Sequence, residues 1–191
     1  MFLIKHPSRM IANIQISWNI FEFNFRKRLF GFNNANGFLR RVDRNSLVPI
    51  LLKNGAKIGE NCDIEAPLFF HNCTDFSNLC IGNNCHIGKG CFFDLRNTIT
   101  LDENVVVSMQ CTFITHQDMN KSEMRKLFPA THAPVSVGRN TYIGVNSTIL
   151  QGITLAENCL VAAGSVVTKD VEANTVVAGV PAKFKKKLPD F

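Results

Sequence analysis

The chain has 191 residues, enough for one sizeable core and a small appendage, with 46% hydrophobic and 19% charged residues as in ordinary globular proteins. No apolar run reaches the ~18–20 residues that span a bilayer, and seven cysteines, an odd number, fit a reducing, cytoplasmic setting better than a disulfide framework. The net charge of +6 sits wholly in residues 1–44, while residues 45–191 balance thirteen basic against thirteen acidic groups, which argues against nucleic-acid binding by the body.

Residues 1–44 form an arm. Its apolar start is broken by Lys5, His6, Arg9, Asn13 and Gln15 and lacks a small-residue cleavage site, so a signal peptide is not expected. The apolar, basic stretch from Ser8 to Phe30 predicts one or two helices. They would either cap the open end of whatever follows or make peripheral contact with a membrane surface, at its inner face, or with a partner.

From Val137 the sequence reads VGRNTY, IGVNST, ILQGIT, LAENCL, VAAGSV, VTKDVE, six blocks of six that each begin with an aliphatic residue. The same frame fits IGENCD at 58, IGNNCH at 81, IGKGCF at 87, LDENVV at 101 and VSMQCT at 107. A period of six suits neither helix nor heptad. It suits a short strand with its aliphatic first residue inward, followed by a tight turn that Gly or Asn tolerates, stacked into a solenoid. Cys62, Cys85, Cys91, Cys111 and Cys159 occupy the fifth position, where Thr, Ser and Val stand elsewhere, so they read as small core residues rather than metal ligands. Cys73 and Cys80 fall off the frame.

Two departures interrupt the frame. Phe93 and Asp94 add two residues before LRNTIT at 95, and the step from Phe113 to Val137 is six plus eighteen. The eighteen cannot be a coil, because Glu123 and Pro129 would fall at inward positions. Residues 117–134 are therefore expected to leave the solenoid as a loop lining a binding face. At the other end Pro181 closes the solenoid, and a short basic C-terminal helix is expected before the tail 188–191.

Of the five histidines, His116 stands out, because it follows FIT where the loop departs and so combines a rigid base with an open cleft. His132 lies near the loop's return, His71 in an irregular stretch, and His86 at a turn. Asp94 at the two-residue insertion and Asp118 are candidates to orient His116.

FITH, PVSVGRNTYIGVNSTILQGITL and VAAGSVVTKDV with VVAGVPAK resemble the hexapeptide-repeat acyltransferases over residues 58–187. Within that family they look most like the acetyl-CoA-dependent sugar O-acetyltransferases, in particular the polysaccharide-modifying members. The resemblance implies an all-β chain, a left-handed parallel β-helix with three hexads per coil. Its domains would be an arm at 1–44, a repeat domain at 45–187 and a tail. It further implies acetyl-CoA as co-substrate without a catalytic metal, a saccharide acceptor in surface polysaccharide or lipopolysaccharide synthesis, and a homotrimer with coenzyme A between solenoids. By the same resemblance His116 is the general base, assisted by Asp94, and the Val145 amide meets the oxyanion. Tyr142, Val145, Ala163, Thr168 and Lys169 would line the pantetheine arm, with Lys183 and Lys186 on the phosphates. Relatives often carry arginine at the phosphate positions, and lysine gives up the bidentate geometry.

Three rivals keep the same solenoid. They are an antibiotic or other small-molecule O-acetyltransferase, a zinc enzyme, and a non-catalytic scaffold. The zinc reading is poorly served, since no two histidines lie within ten residues of each other.

Overall fold

A computed structural model describes residues 7–189; His6 with the rest of residues 1–6, and residues 190–191 of the tail, lie outside it. The hexads form strands of two to four residues that stack coil on coil into three parallel sheets, the faces of a prism of about six turns. One coil runs Leu79–Ile81, His86–Ile87 and Phe92–Asp94. The coil above runs Ile99–Leu101, Val106–Val107 and Thr112–Phe113. Register follows the aliphatic first positions, pairing Ile81 with Leu101, Ile87 with Val107 and Phe93 with Phe113, all buried.

Three features make this repeat stack. The fourth position takes a left-handed turn, filled by Asn61, Asn84, Asn104, Asn140, Asn146, Asn158 and Asn174 with φ between 56° and 60°. The asparagine side chains bond from coil to coil, Asn104 to Asn140 at 3.1 Å, Asn140 to Asn158 at 3.0 Å and Asn158 to Asn174 at 2.8 Å. The second position passes close to the next coil, and a Cβ on Gly144 would sit 2.5 Å from the Ala163 nitrogen.

The fifth position faces inward and bonds the second-position carbonyl one coil on. Cys85 Sγ meets the Asp102 carbonyl at 3.0 Å, Cys111 that of Gly144 at 3.2 Å and Cys159 that of Glu172 at 3.2 Å. Thr141 and Ser147 donate in the same way to Ala156 and Ala162, each at 3.1 Å. The cysteines thus stand in for hydroxyls in a repeated inter-coil bond, and all seven are free thiols. Cys80 is the outward middle residue of its strand, and Cys73 lines the cavity described below.

The frame differs from expectation at Phe93. It is a core residue, its ring stacked on Phe113 at 5.1 Å and 5°, so the extra residues lie beyond it, before Leu101. Two large aromatic rings fill the prism where smaller side chains would leave a void. The C-terminal expectation is also corrected. Lys183–Lys187 is not a helix but a strand, antiparallel to Thr175–Ala178 after a turn through Gly179 (φ 106°). The last parallel strand leaves a row of backbone groups open, and pairing with it outweighs the weak helix preference of a segment too short to nucleate.

The arm is helical. Helix α1 (Pro7–Phe30) packs on α2 (Phe32–Phe38) and α3 (Arg44–Lys53), with a 3₁₀ turn at Leu39–Arg41. Helix α3 falls inside the expected repeat segment 45–187, whose first strand begins at Lys57. Asp43 caps α3 by accepting from Asn45 N and Ser46 N, and Asn19 of α1 donates to Asp43 at 2.9 Å. Phe23 and Phe32 close over Phe76, and Phe76 leads on through Phe70 and Phe93 to Phe113. One aromatic column therefore joins the cap to the third coil.

Candidate active site

Every insertion leaves the prism at the same corner, between its third and first faces. The step there is eleven residues from Phe70 to Ile81, eight from Phe93 to Leu101 and twenty-four from Phe113 to Val137, against six from Ile149 to Leu155. Coil stacking then superposes what the insertions carry. His71 pairs in register with Asp94, and His116 lies one coil further on. The loop begins as the strand His116–Gln117, returns antiparallel as Thr131–His132, and carries a 3₁₀ turn at Glu123–Lys126 between them.

His116 and Asp94 meet here. His116 Nδ1 lies 2.5 Å from Asp94 Oδ2. The Asp94 side chain is 1% exposed and that of His116 is 23% exposed, so the carboxylate is sealed while the ring reaches the surface. Asp94 Oδ2 also accepts from the Thr115 amide at 2.8 Å and the Thr115 hydroxyl at 3.0 Å, and Oδ1 accepts from Asn72 Nδ2 at 3.1 Å. Burial pushes the Asp94 carboxyl upward, but the bonds from His116, Thr115 and Asn72 outweigh it and hold the group below its ordinary value. An acceptor-only carboxylate on Nδ1 assigns the proton to that nitrogen and leaves Nε2 as the basic one. Asn72 Nδ2 stands 3.2 Å from Nε2 and 3.3 Å from Nδ1, against the edge of the ring.

Asn72 and Thr115 are parts of this site that sequence reasoning missed. Thr115 was legible as the neighbour of His116. Asn72 was not, because it sits 44 residues away in an off-frame stretch, and its φ of 52° is the one local signal of a special turn. Asp118 does not reach His116; it faces Arg96 at 4.0 Å and caps Asn120 N. His132 stands opposite His116 across the loop's strands and is bonded to Asn97 at 3.0 Å. His86 pairs with Asp63.

Beside the histidine a polar cavity of about 720 Å³ is lined by Asn33 of α2, His71, Asn72, Cys73, Asp75 and Arg96 among others. The Cys73 thiol is pushed up to about 12, by burial first and then by Asp75 and Asp94, so it is neutral and a poor nucleophile there. Among the described residues no three His, Cys, Asp or Glu side chains converge as metal ligands.

Tyr142, Val145 and Ala163 gather on the second face and its corner with the third, away from His116. Tyr142 is 43% exposed, and its hydroxyl accepts from Ser108 Oγ at 2.9 Å. The Val145 carbonyl accepts from Gly164 N at 2.8 Å, whereas no backbone bond among the described residues uses its N–H, as at Met109 and Ala163. Lys169 and Lys183 line one groove of about 380 Å³, near which Thr168 is exposed. Lys186 is exposed on the terminal strand, whereas Lys187 is held by Glu172 at 3.0 Å.

The repeats match the family described as "Hexapeptide repeat of succinyl-transferase" over residues 79–110 and 134–169. A galactoside O-acetyltransferase of Escherichia coli K12 is 31% identical over 141 residues. That alignment takes in 71% of this chain and 65% of the relative, so the chain spans slightly less than two thirds of that protein. Among solved structures, a maltose O-acetyltransferase from Clostridium difficile 630 superposes with a TM-score of 0.68 at 26% identity, covering 92% of this chain and 89% of that one. A galactoside acetyltransferase in complex with coenzyme A gives 0.64 at 25% identity, covering 99% and 86%. The prism winds left-handed, as in these neighbours.

Proposed function

The chain is a hexapeptide-repeat protein wound as a left-handed β-helix, and from that premise we propose that it is an acetyl-CoA-dependent sugar O-acetyltransferase. The observation that carries this reading is the buried Asp94 carboxylate on His116 Nδ1, which leaves Nε2 basic beside Asn72, itself part of the lining of the polar cavity. A sugar hydroxyl is a poor nucleophile near neutral pH, so Nε2 takes its proton as the oxygen attacks the thioester carbonyl. The C–S bond then breaks, and the proton passes from Nε2 to the departing thiolate, which restores the neutral imidazole. Asp94 fixes the tautomer and steadies the transient imidazolium, while the unused Val145 N–H is the donor for the oxyanion.

In this reading Tyr142, Val145, Ala163, Thr168 and Lys169 follow the pantetheine arm, and Lys183 and Lys186 hold phosphates. The shared groove of Lys169 and Lys183 supports that placement. Tyr142 and Val145 lie across the prism from His116, so a complete site takes His116 from one solenoid and the Val145 face from another. That separation favours a homotrimer with sites between subunits. The acceptor is a saccharide of surface polysaccharide or lipopolysaccharide, and the enzyme works in the cytoplasm at the inner face of the membrane, which residues 1–44 contact.

Thiol release from acetyl-CoA against a panel of sugars and lipopolysaccharide fragments tests this reading. Wild type should turn over at least one, and His116→Ala should lower kcat by about 10²–10⁴-fold with coenzyme A affinity nearly intact. An alanine variant as active as wild type would sink the assignment.

A further inference from the structure

Helix α1 has two apolar faces, and the cap uses one. Ile16, Asn19, Ile20 and Phe23 turn toward α2, α3 and the solenoid. On the opposite side Ile11, Ile14, Trp18, Phe21, Phe25 and Leu29 form a continuous stripe at helical spacing, each between 48% and 66% exposed. At 1.5 Å per residue the stripe is about 27 Å long. Phe30, 64% exposed, extends it, and Trp18, Phe21, Phe25 and Phe30 line a groove of about 370 Å³ beside it. Exposed hydrophobics elsewhere, such as Leu52, Met109 and Val180, do not form a stripe of this length, and a continuous unpartnered apolar face marks a contact surface.

Charge decides the occupant. The whole +6 excess of the protein lies in the segment that carries the stripe, with Arg28 exposed at its edge and Arg41 exposed nearby in the cap. The stripe's exposed neighbours Asn13, Gln15, Ser17 and Asn24 are uncharged, and Glu22 and Arg26, which flank the groove, are spent on each other at 2.7 Å, so no free acid is left beside the stripe to set a helix-to-helix register. No described helix is long and apolar enough to cross a membrane, so this one would lie in the interface plane. We propose that the Ile11–Leu29 face of α1 docks the enzyme on an anionic lipid surface. The claim rests on the proposed membrane contact of residues 1–44 and names its face and lipid chemistry. Helix α2 adds a consequence. Asn34 lines the groove beside Phe25 and Phe30, and its neighbour Asn33 lines the polar cavity beside His71, so one short helix separates the docking face from that cavity.

The protein carries its own probe, because Trp18 is its single tryptophan. The full chain is mixed with vesicles of phosphatidylcholine alone or of phosphatidylcholine with phosphatidylglycerol, and Trp18 emission and co-flotation are read. With phosphatidylglycerol present, Trp18 should shift to the blue and the protein should float. Raising the salt should weaken both effects, and Ile14→Ser/Phe21→Ser/Phe25→Ser should lower the bound fraction by about tenfold or more. Circular dichroism and melting of the triple variant show that it is folded, since the replaced side chains are outside the core. Equal binding to both vesicle types, or none to either, would overturn the proposal. So would a wild type that forms a larger, concentration-dependent assembly with Trp18 already blue-shifted in buffer, because a second copy would then cover the stripe. Thiol release with soluble saccharides is scored separately, so lost docking with intact turnover defeats this proposal alone, and docking without turnover defeats only the acetyl-transfer reading.

Discussion

The regular coils and the segments that break their frame divide the labour of this molecule. The coils carry no basic excess, repeat one set of inward positions, and spend their polar side chains on bonds to the next coil. The departures are the helical cap, the corner insertions and the terminal hairpin. They hold the excess charge, the His116–Asp94 pair, the polar cavity and the exposed apolar stripe. A periodic stack buries its core efficiently but presents the same surface at every rung, so chemistry has to enter where the period fails.

Cutting away a coil residue should have the largest effect. Phe93 is fully buried in the aromatic column, and Phe93→Ala should cost about 3–5 kcal/mol in chemical denaturation, because the rings above and below cannot close the void. A cap residue should matter less. Asp43→Ala removes the α3 cap and the acceptor for Asn19, and should cost about 1–2 kcal/mol while leaving the coils intact by circular dichroism.

A terminal-strand change should spare stability altogether. Replacing Lys183 and Lys186 with Ala should raise the KM for acetyl-CoA by about tenfold, less at high salt, with the acceptor KM and the melting temperature little altered. Equal acetyl-CoA affinity in wild type and variant would return both lysines to solvated surface.

The smallest effect near neutral pH is the titration of Asp94. Its carboxyl is held below the ordinary 3.8, so its ionised form contributes stability that is complete above that value and is lost as pH falls below it. Asp94→Asn should flatten that acid limb in a stability-versus-pH series. An unchanged limb would show that the ionised Asp94 carboxylate, with its bonds from His116, Thr115 and Asn72, contributes nothing to the fold.

Much of this was legible in sequence, for a physical reason. A six-residue period writes the inward residue, the left-handed turn and the close glycine into each block, so strand, register and core follow from local spacing alone. His116 was legible because it stands where that period stops. Phe93 was misplaced by two residues because an aromatic ladder position looks like an insertion until its partner Phe113 is seen stacked above it. The fate of Lys183–Lys187 likewise depended on an open strand edge that exists only after the last coil has formed. Asn72 and Asp94 are 22 residues apart, and His116 is a further 22 on. Their meeting at one corner is set by how many residues each coil spends there, and that count acquires meaning only when the coils are stacked. The sequence by itself thus determined the prism and singled out His116 at the point where its period stops. The tertiary structure alone decided what surrounds His116 and which face of α1 was left uncovered, because both depend on contacts between segments that share no local pattern.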